Sequence, residues 1–270
     1  MEGVGMSITT FVGGGKMGEA ILSGMIAAGT AASDIIVVEK IAERCDYLAS
    51  TYGVRISELA EGVAAPDAII VAVKPQGFDE ALVAMQPFVQ PDAVVISIAA
   101  GKTLATMEQL LPGSHCIRVM PNTPALVGMG MAALSRGTHA TAADLGVATA
   151  MFETVGKTVE IPESLQNAML SMHGSGPAFY YFVMESFVEG GVRLGLSREM
   201  SYDLALQTFI GSAELIRQTG ETPEQLRKNV TSPGGTTAAA IAKYQELGLQ
   251  DVLIAGQIAC RDRGEELSQI

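Results

Sequence analysis

The sequence predicts an α/β protein in two parts: a doubly wound, mostly parallel sheet, then a half made only of helices. Three observations carry this. Short Ile/Val/Ala runs alternate with helical patterns as far as Ile161. A glycine-rich turn joins the first run to the first helical pattern. After Pro162 the strand signals stop. Strands buried on both faces read as near-continuous apolar runs, and their alternation with helices implies a parallel sheet.

The predicted strands are Ser7–Val12, Ile35–Glu39, Val54–Ile56, Ala68–Val73, Val94–Ala99 and Cys116–Met120. Met131–Ser135 and Lys157–Ile161 follow at the sheet edge. Between them, segments such as Gly18–Ala28, Ala42–Tyr52 and Leu104–Leu111 carry apolar residues at helical spacing. Beyond Pro162 the predicted helices are Glu163–Met172, Pro177–Leu194, Arg198–Thr219, Pro223–Asn229, Thr236–Leu247 and Gln250–Leu267. The stretch Pro177–Val188 is apolar on several faces at once, which implies burial on all sides and hints at a second subunit. The expected domains are 1–162 and 163–270.

Composition excludes several classes. The chain has 270 residues, 17 basic against 29 acidic side chains, a net charge of −12, and 48% apolar residues. Disorder requires lower hydrophobicity. A nucleic-acid binder requires a basic patch. Three cysteines without CxxC spacing do not make a disulfide scaffold. No basic residue precedes Lys16, so the start does not read as a signal peptide. The one long uncharged stretch, Ser164–Met184, contains a Gly-Ser-Gly-Pro turn and polar residues, and does not read as a membrane span. The cytoplasm is the expected compartment. Met6-Ser7 reads as an alternative start, which would make Met1–Gly5 an extension.

The turn Gly13-Gly14-Gly15-Lys16-Met17-Gly18 fits G-x-G-x-x-G between a strand and a helix. The first glycine permits the tight turn, the second lets backbone approach a diphosphate, and the third lets helix and sheet pack closely. Free N–H groups at the helix start would hold the diphosphate. Glu39 ends the second strand, where a carboxylate accepts hydrogen bonds from the adenosine ribose and favours NAD. Lys40 and Arg44 lie close by and would offset its repulsion of a 2′-phosphate, so NADPH or NADH stays open. All three also fit a solvated surface. Ala72-Val73-Lys74-Pro75 and Ala99-Ala100-Gly101 end later strands and point to the same cleft. Asn122, after the sixth strand, is placed to bond a nicotinamide or a substrate, or to serve as ordinary turn chemistry.

In the helical half, His173-Gly174-Ser175-Gly176-Pro177 interrupts two helical patterns, with Ser175 either capping the next helix or facing the cleft. His173 has no partner at metal spacing. Ser232-Pro233-Gly234-Gly235-Thr236-Thr237 precedes a strong helix former. Glycines before a helix expose N–H groups suited to a small carboxylate or phosphate.

Together these segments resemble pyrroline-5-carboxylate reductase over nearly the whole chain. The resemblance rests on Phe11–Gly18, Val73–Pro75, Ala99–Gly101, Met120–Pro124, Gly174–Ala178, Asn229–Ile241 and Cys260–Glu265, in that order. It implies a Rossmann-type domain plus an all-helical dimerisation domain, self-association as a dimer or a ring of dimers, and a site at the dimer interface. It implies reduction of the cyclic imine L-1-pyrroline-5-carboxylate to L-proline by NADPH or NADH, the last step of proline biosynthesis. By position, Thr237 matches the threonine that bonds the ring nitrogen. Ser232, Gly234, Gly235 and Thr236 match the turn that grips the substrate carboxylate, and Ser175 lies in the G-S-G-P-A segment. Two other readings share the dinucleotide loop: a β-hydroxyacid dehydrogenase and a non-catalytic dinucleotide-sensing module. The first uses a lysine on the long central helix, and Phe179–Met184 offers none.

Overall fold

The computed structural model describes residues 8–268. The alternative start at Met6 and the first residue of the Ser7–Val12 strand lie outside them. Two compact units form. One runs through Ser175 and takes the chain back from Arg261 onward; the other is Gly176–Cys260.

The first unit contains β1 (Thr9–Val12), α1 (Lys16–Ala27), β2 (Ile35–Val38), α2 (Ala42–Tyr52), β3 (Arg55–Ile56), α3 (Leu59–Gly62) and β4 (Ala68–Val71). It continues with α4 (Phe78–Met85), β5 (Val94–Ser97), α5 (Leu104–Leu110), β6 (His115–Met120), β7 (Gly130–Arg136), α6 (Ala142–Glu153), β8 (Gly156–Glu160) and α7 (Gln166–Met169). The strands lie in the order β3-β2-β1-β4-β5-β6-β7-β8. The β6–β7 pair is antiparallel and the other pairs are parallel. The order reverses between β1 and β4, which opens a crevice beyond the carboxyl ends of those strands.

Alternation along the strands builds two cores. Phe11, Ile70 and Ile96 point to one face with Ile21, Leu22 and Met25 of α1 and Met151 and Phe152 of α6. Val12, Val71 and Val95 point to the other with Phe78, Leu82 and Met85 of α4 and Leu104 and Met107 of α5. The central strands are buried on both faces, as their continuous apolar runs require.

The interruption expected at His173–Pro177 is a correction. Leu170–Gly174 is a π-helical turn in which Ser175 N–H donates to the Leu170 carbonyl at 2.8 Å. Helical backbone therefore continues almost to α8 (Gly176–Arg193), broken only at Ser175.

The second unit holds α8, α9 (Arg198–Thr219), α10 (Pro223–Asn229), α11 (Thr236–Glu246) and most of α12 (Leu249–Ser268). Ser197 caps α9, and Thr222 caps α10 ahead of Pro223 in its first turn. Phe187 and Phe209 meet edge to face at 5.8 Å. The expected all-round burial of Pro177–Val188 is absent within one chain. Tyr180, Tyr181 and Phe182 are 63%, 59% and 70% exposed. Among the described residues, no helix is long and apolar enough to cross a membrane.

Candidate active site

The glycine turn fits because each glycine meets a different constraint. Gly13 has φ +102°, and a Cβ there would stand 2.8 Å from the Ala72 carbonyl oxygen. Only glycine lets the ends of β1 and β4 close in this way. Gly18 is buried, and a Cβ there would stand 3.0 Å from the Gly13 carbonyl. At Gly15 a Cβ would meet nothing within 4 Å. Gly15 is also the N-cap of α1, and no side chain caps that helix. The loop thus presents open backbone and a positive helix end to the crevice, the cradle a diphosphate requires.

That crevice is a cleft of about 1180 Å³ within the first unit. Gly13, Gly14, Gly15 and Lys16 line it from the loop, and Ala72, Val73 and Lys74 from the end of β4. Glu39 and Lys40 line it from the end of β2.

Other sequence-predicted cofactor residues are not among its lining. Met17 packs against the α1-side core. Pro75 opens a 3₁₀ turn, Pro75–Gly77. Ala99 is buried in the second core, Ala100 is exposed, and Gly101, at φ +76°, turns against Leu267. Asn122 is engaged at both ends of its amide. Its Nδ2 donates to the His173 carbonyl at 3.0 Å, and its Oδ1 accepts from Met131 N–H at 2.8 Å. It ties the end of β6 to β7 and to the π turn. His173 lies across the same junction, its ring nitrogens 2.8 and 2.7 Å from the Met169 and Met120 carbonyls.

Glu39 is held by backbone. Its Oε2 accepts the Gly14 N–H at 2.8 Å, and its Oε1 accepts the N–H groups of Lys40 at 2.7 Å and Ile41 at 3.1 Å. Arg44 donates from Nε to the Gly14 carbonyl and from Nη2 to Glu19, with its guanidinium over the Tyr47 ring. Glu19 also accepts the hydroxyls of Tyr47 at 2.9 Å and Tyr52 at 2.8 Å. Burial alone would raise the Glu19 pKa, but the bonds from Arg44, Tyr52 and Tyr47 outweigh it and hold the carboxyl below its ordinary value. Burial, reinforced by Glu19, pushes the Tyr52 phenol up to about 12. Sequence reasoning singled out Arg44 but missed Glu19, Tyr47 and Tyr52, because these partners come from two different helices and no spacing rule joins them.

In the second unit, Gly234 has φ +72°, and Gly235 N–H donates to the Ser232 carbonyl at 3.0 Å. Gly235 is the N-cap of α11, and no side chain caps this helix either. A Cβ at Gly235 would stand 2.6 Å from Ser232 Oγ. Thr237 is half-buried in the first turn. The hydroxyls of Ser175, Thr236 and Thr237 make no hydrogen bond among the described residues. Ser232, Gly234, Gly235, Thr236 and Thr237 are therefore brought together at one helix N-terminus.

Residues 163–267 match the family described as pyrroline-5-carboxylate reductase dimerisation, and residues 8–101 match NADP oxidoreductase coenzyme F420-dependent. A pyrroline-5-carboxylate reductase of Synechocystis is 42% identical over 260 residues, covering 96% of this chain and 97% of the relative. The chain belongs to the pyrroline-5-carboxylate reductase family. A solved family structure from Coxiella burnetii is 31% identical with a TM-score of 0.93, over 98% of this chain and 99% of that one. One from Plasmodium falciparum, with NADP bound, is 27% identical with a TM-score of 0.86, over 98% and 100%. The chain is an NAD(P)H-dependent oxidoreductase that reduces L-1-pyrroline-5-carboxylate to L-proline in proline biosynthesis. It self-associates through its helical domain.

Proposed function

We propose how this chain carries out that reduction. The N–H groups opening α1 and the side chains of Lys16 and Lys74 hold the dinucleotide along Gly13–Gly18, with Ala72 and Val73 against its flat surfaces. Bound there, NAD(P)H supplies a hydride. The N–H groups opening α11, the Gly234-Gly235 turn and the Ser232 and Thr236 hydroxyls bind the substrate carboxylate, where the helix end favours negative charge. Thr237 Oγ1 orients the ring nitrogen and holds a proton there. A protonated imine accepts hydride at carbon without a nucleophile, so positioning is the protein's main contribution.

The observation that carries this reading is the uncapped start of α11, with two unbonded threonine hydroxyls beside it. Asn122 and Ala99–Gly101 serve as positioning residues that shape the strand ends behind the cleft. The working form is a homodimer or a ring of dimers with residues 163–270 at its interface. Three free thiols, Cys45, Cys116 and Cys260, fit a reducing cytoplasm.

The test is dinucleotide oxidation with pyrroline-5-carboxylate. Thr237→Ala is expected to lower kcat/KM by about 10- to 100-fold, within the range of a positioned proton donor or less. The dissociation constant for the dinucleotide should not change, and Thr237→Ser should retain most activity. Unchanged kcat/KM in Thr237→Ala would remove the hydroxyl from the mechanism.

A further inference from the structure

We propose that this chain selects NADH over NADPH and that Glu39 is the residue that decides it. The inference rests on the cleft being the dinucleotide site. Three backbone N–H groups converge where β2 ends: Gly14 of the loop, and Lys40 and Ile41 leading into α2. They are the donors an adenosine 2′-phosphate would need, and the Glu39 carboxylate occupies all three. A carboxylate oxygen accepts about two hydrogen bonds. Oε1 already has two and Oε2 has one. One acceptor position therefore remains on Oε2. A ribose 2′-hydroxyl has a proton to give it. A 2′-phosphate, largely dianionic near pH 7, has none and brings like charge against the carboxylate.

The neighbouring cations do not compensate. Arg44 is committed to the Gly14 carbonyl and to Glu19, with its side chain 24% exposed. Turning it toward a phosphate would leave the Glu19 carboxylate with only two neutral phenol donors. Lys40 pairs with Glu80 at 3.3 Å. Both side chains are well exposed, so Lys40 is free to move, but it is a single cation. Glu43, Glu58 and Glu80 line the same cleft as Glu39.

The test is direct binding, followed by nicotinamide fluorescence, of NADH and NADPH to the wild-type protein and to Glu39→Ser. Wild type is expected to bind NADH at least tenfold more tightly. Glu39→Ser frees the Lys40 and Ile41 amides and is expected to bring the ratio to unity or reverse it. Equal or tighter binding of NADPH to wild type overturns the inference, as does an unchanged ratio in Glu39→Ser. Loss of the Gly14 bond endangers folding of that variant, so a second measurement uses wild type alone. There, 5′-AMP should displace NADH at lower concentration than adenosine 2′,5′-bisphosphate, and the reverse order overturns the inference. Failure of wild type to bind either dinucleotide would instead overturn the reading of the cleft itself, and the inference with it.

Discussion

Arg118 and Glu163 form an ion pair at 2.9 Å in which the Arg118 side chain is only 7% exposed. The same Glu163 oxygen accepts the Leu104 N–H at 2.7 Å, at the start of α5. One carboxylate thus fastens a central strand, a helix N-terminus and the segment after β8. Removing one partner of a buried pair leaves the other charge unsolvated, at a cost of about 3–5 kcal/mol. Glu163→Ala is expected to fall at the lower end, since Glu163 is itself partly exposed. Glu163→Gln should cost less because an amide oxygen can still accept from Leu104. Urea denaturation of the two variants checks the order.

The glycine loop separates folding from binding. Gly13→Ala places a Cβ against the Ala72 carbonyl at positive φ, and should destabilise the fold by at least about 1–3 kcal/mol. Gly15→Ala meets nothing within 4 Å and should leave thermal stability nearly unchanged. It fills the open space where the proposed diphosphate cradle lies, so the NADH dissociation constant should rise by about tenfold or more, a loss on the order of 1.4 kcal/mol. Thermal melts alongside dinucleotide titrations check both, and loss of stability in Gly15→Ala would contradict the open geometry.

The Glu19 cluster gives a signed pH dependence. Its carboxyl lies below the ordinary value of 4.5 in the folded state. Its contribution is therefore complete above pH 4.5 and is lost as pH falls toward the folded-state value. The Tyr52 phenol, raised from 10 to about 12, acts in the opposite sense, with stability lost as pH rises through that interval. Melting temperatures of wild type and Glu19→Gln should converge on the acid side of pH 4.5. Parallel curves at all pH values would show that Glu19 is not the titrating group.

Tyr180, Tyr181 and Phe182 make an exposed apolar run on α8 of a kind single soluble chains rarely leave open. Phe182→Glu is expected to shift the solution mass toward monomer at micromolar concentration and to lower activity with it. Light scattering reads the mass; retention of the dimer would move the interface off this face.

Much of the fold was legible because its signals are local. Ile69–Val71 and Val94–Ile96 are apolar runs buried on both faces, and the Gly13–Gly18 spacing marks the strand–helix turn. Other features were hidden. α4 follows Pro75 and Gly77, whose turn chemistry conceals a helix that begins one residue later. α6 is Ala-rich, with little contrast between its faces. The break expected at His173 is helical because a π turn accommodates it. Of the candidate site, the ends of β1, β2 and β4 that the sequence singled out line one cleft. Asn122, Ala99 and Gly101, singled out with them, are not among that lining, because a motif gives position along the chain and not the direction a side chain takes. The turn before α11 was visible as Ser232–Thr237, whereas the Glu19–Tyr52 cluster was not, being assembled from residues 33 positions apart.

The last turns of α12 belong to the first unit. Gly264 is buried against Asn167 and Leu170, and Leu267 lies against Gly101. The cofactor-binding unit is therefore discontinuous in order of synthesis. A ribosome delivers its strands first, then the whole of Gly176–Cys260, and only then the segment that completes its packing. Asn167, Leu170 and the Gly101 turn therefore wait for their last partner while the helical unit is made, so truncation or stalling within the helical unit also leaves the packing of the first unit incomplete.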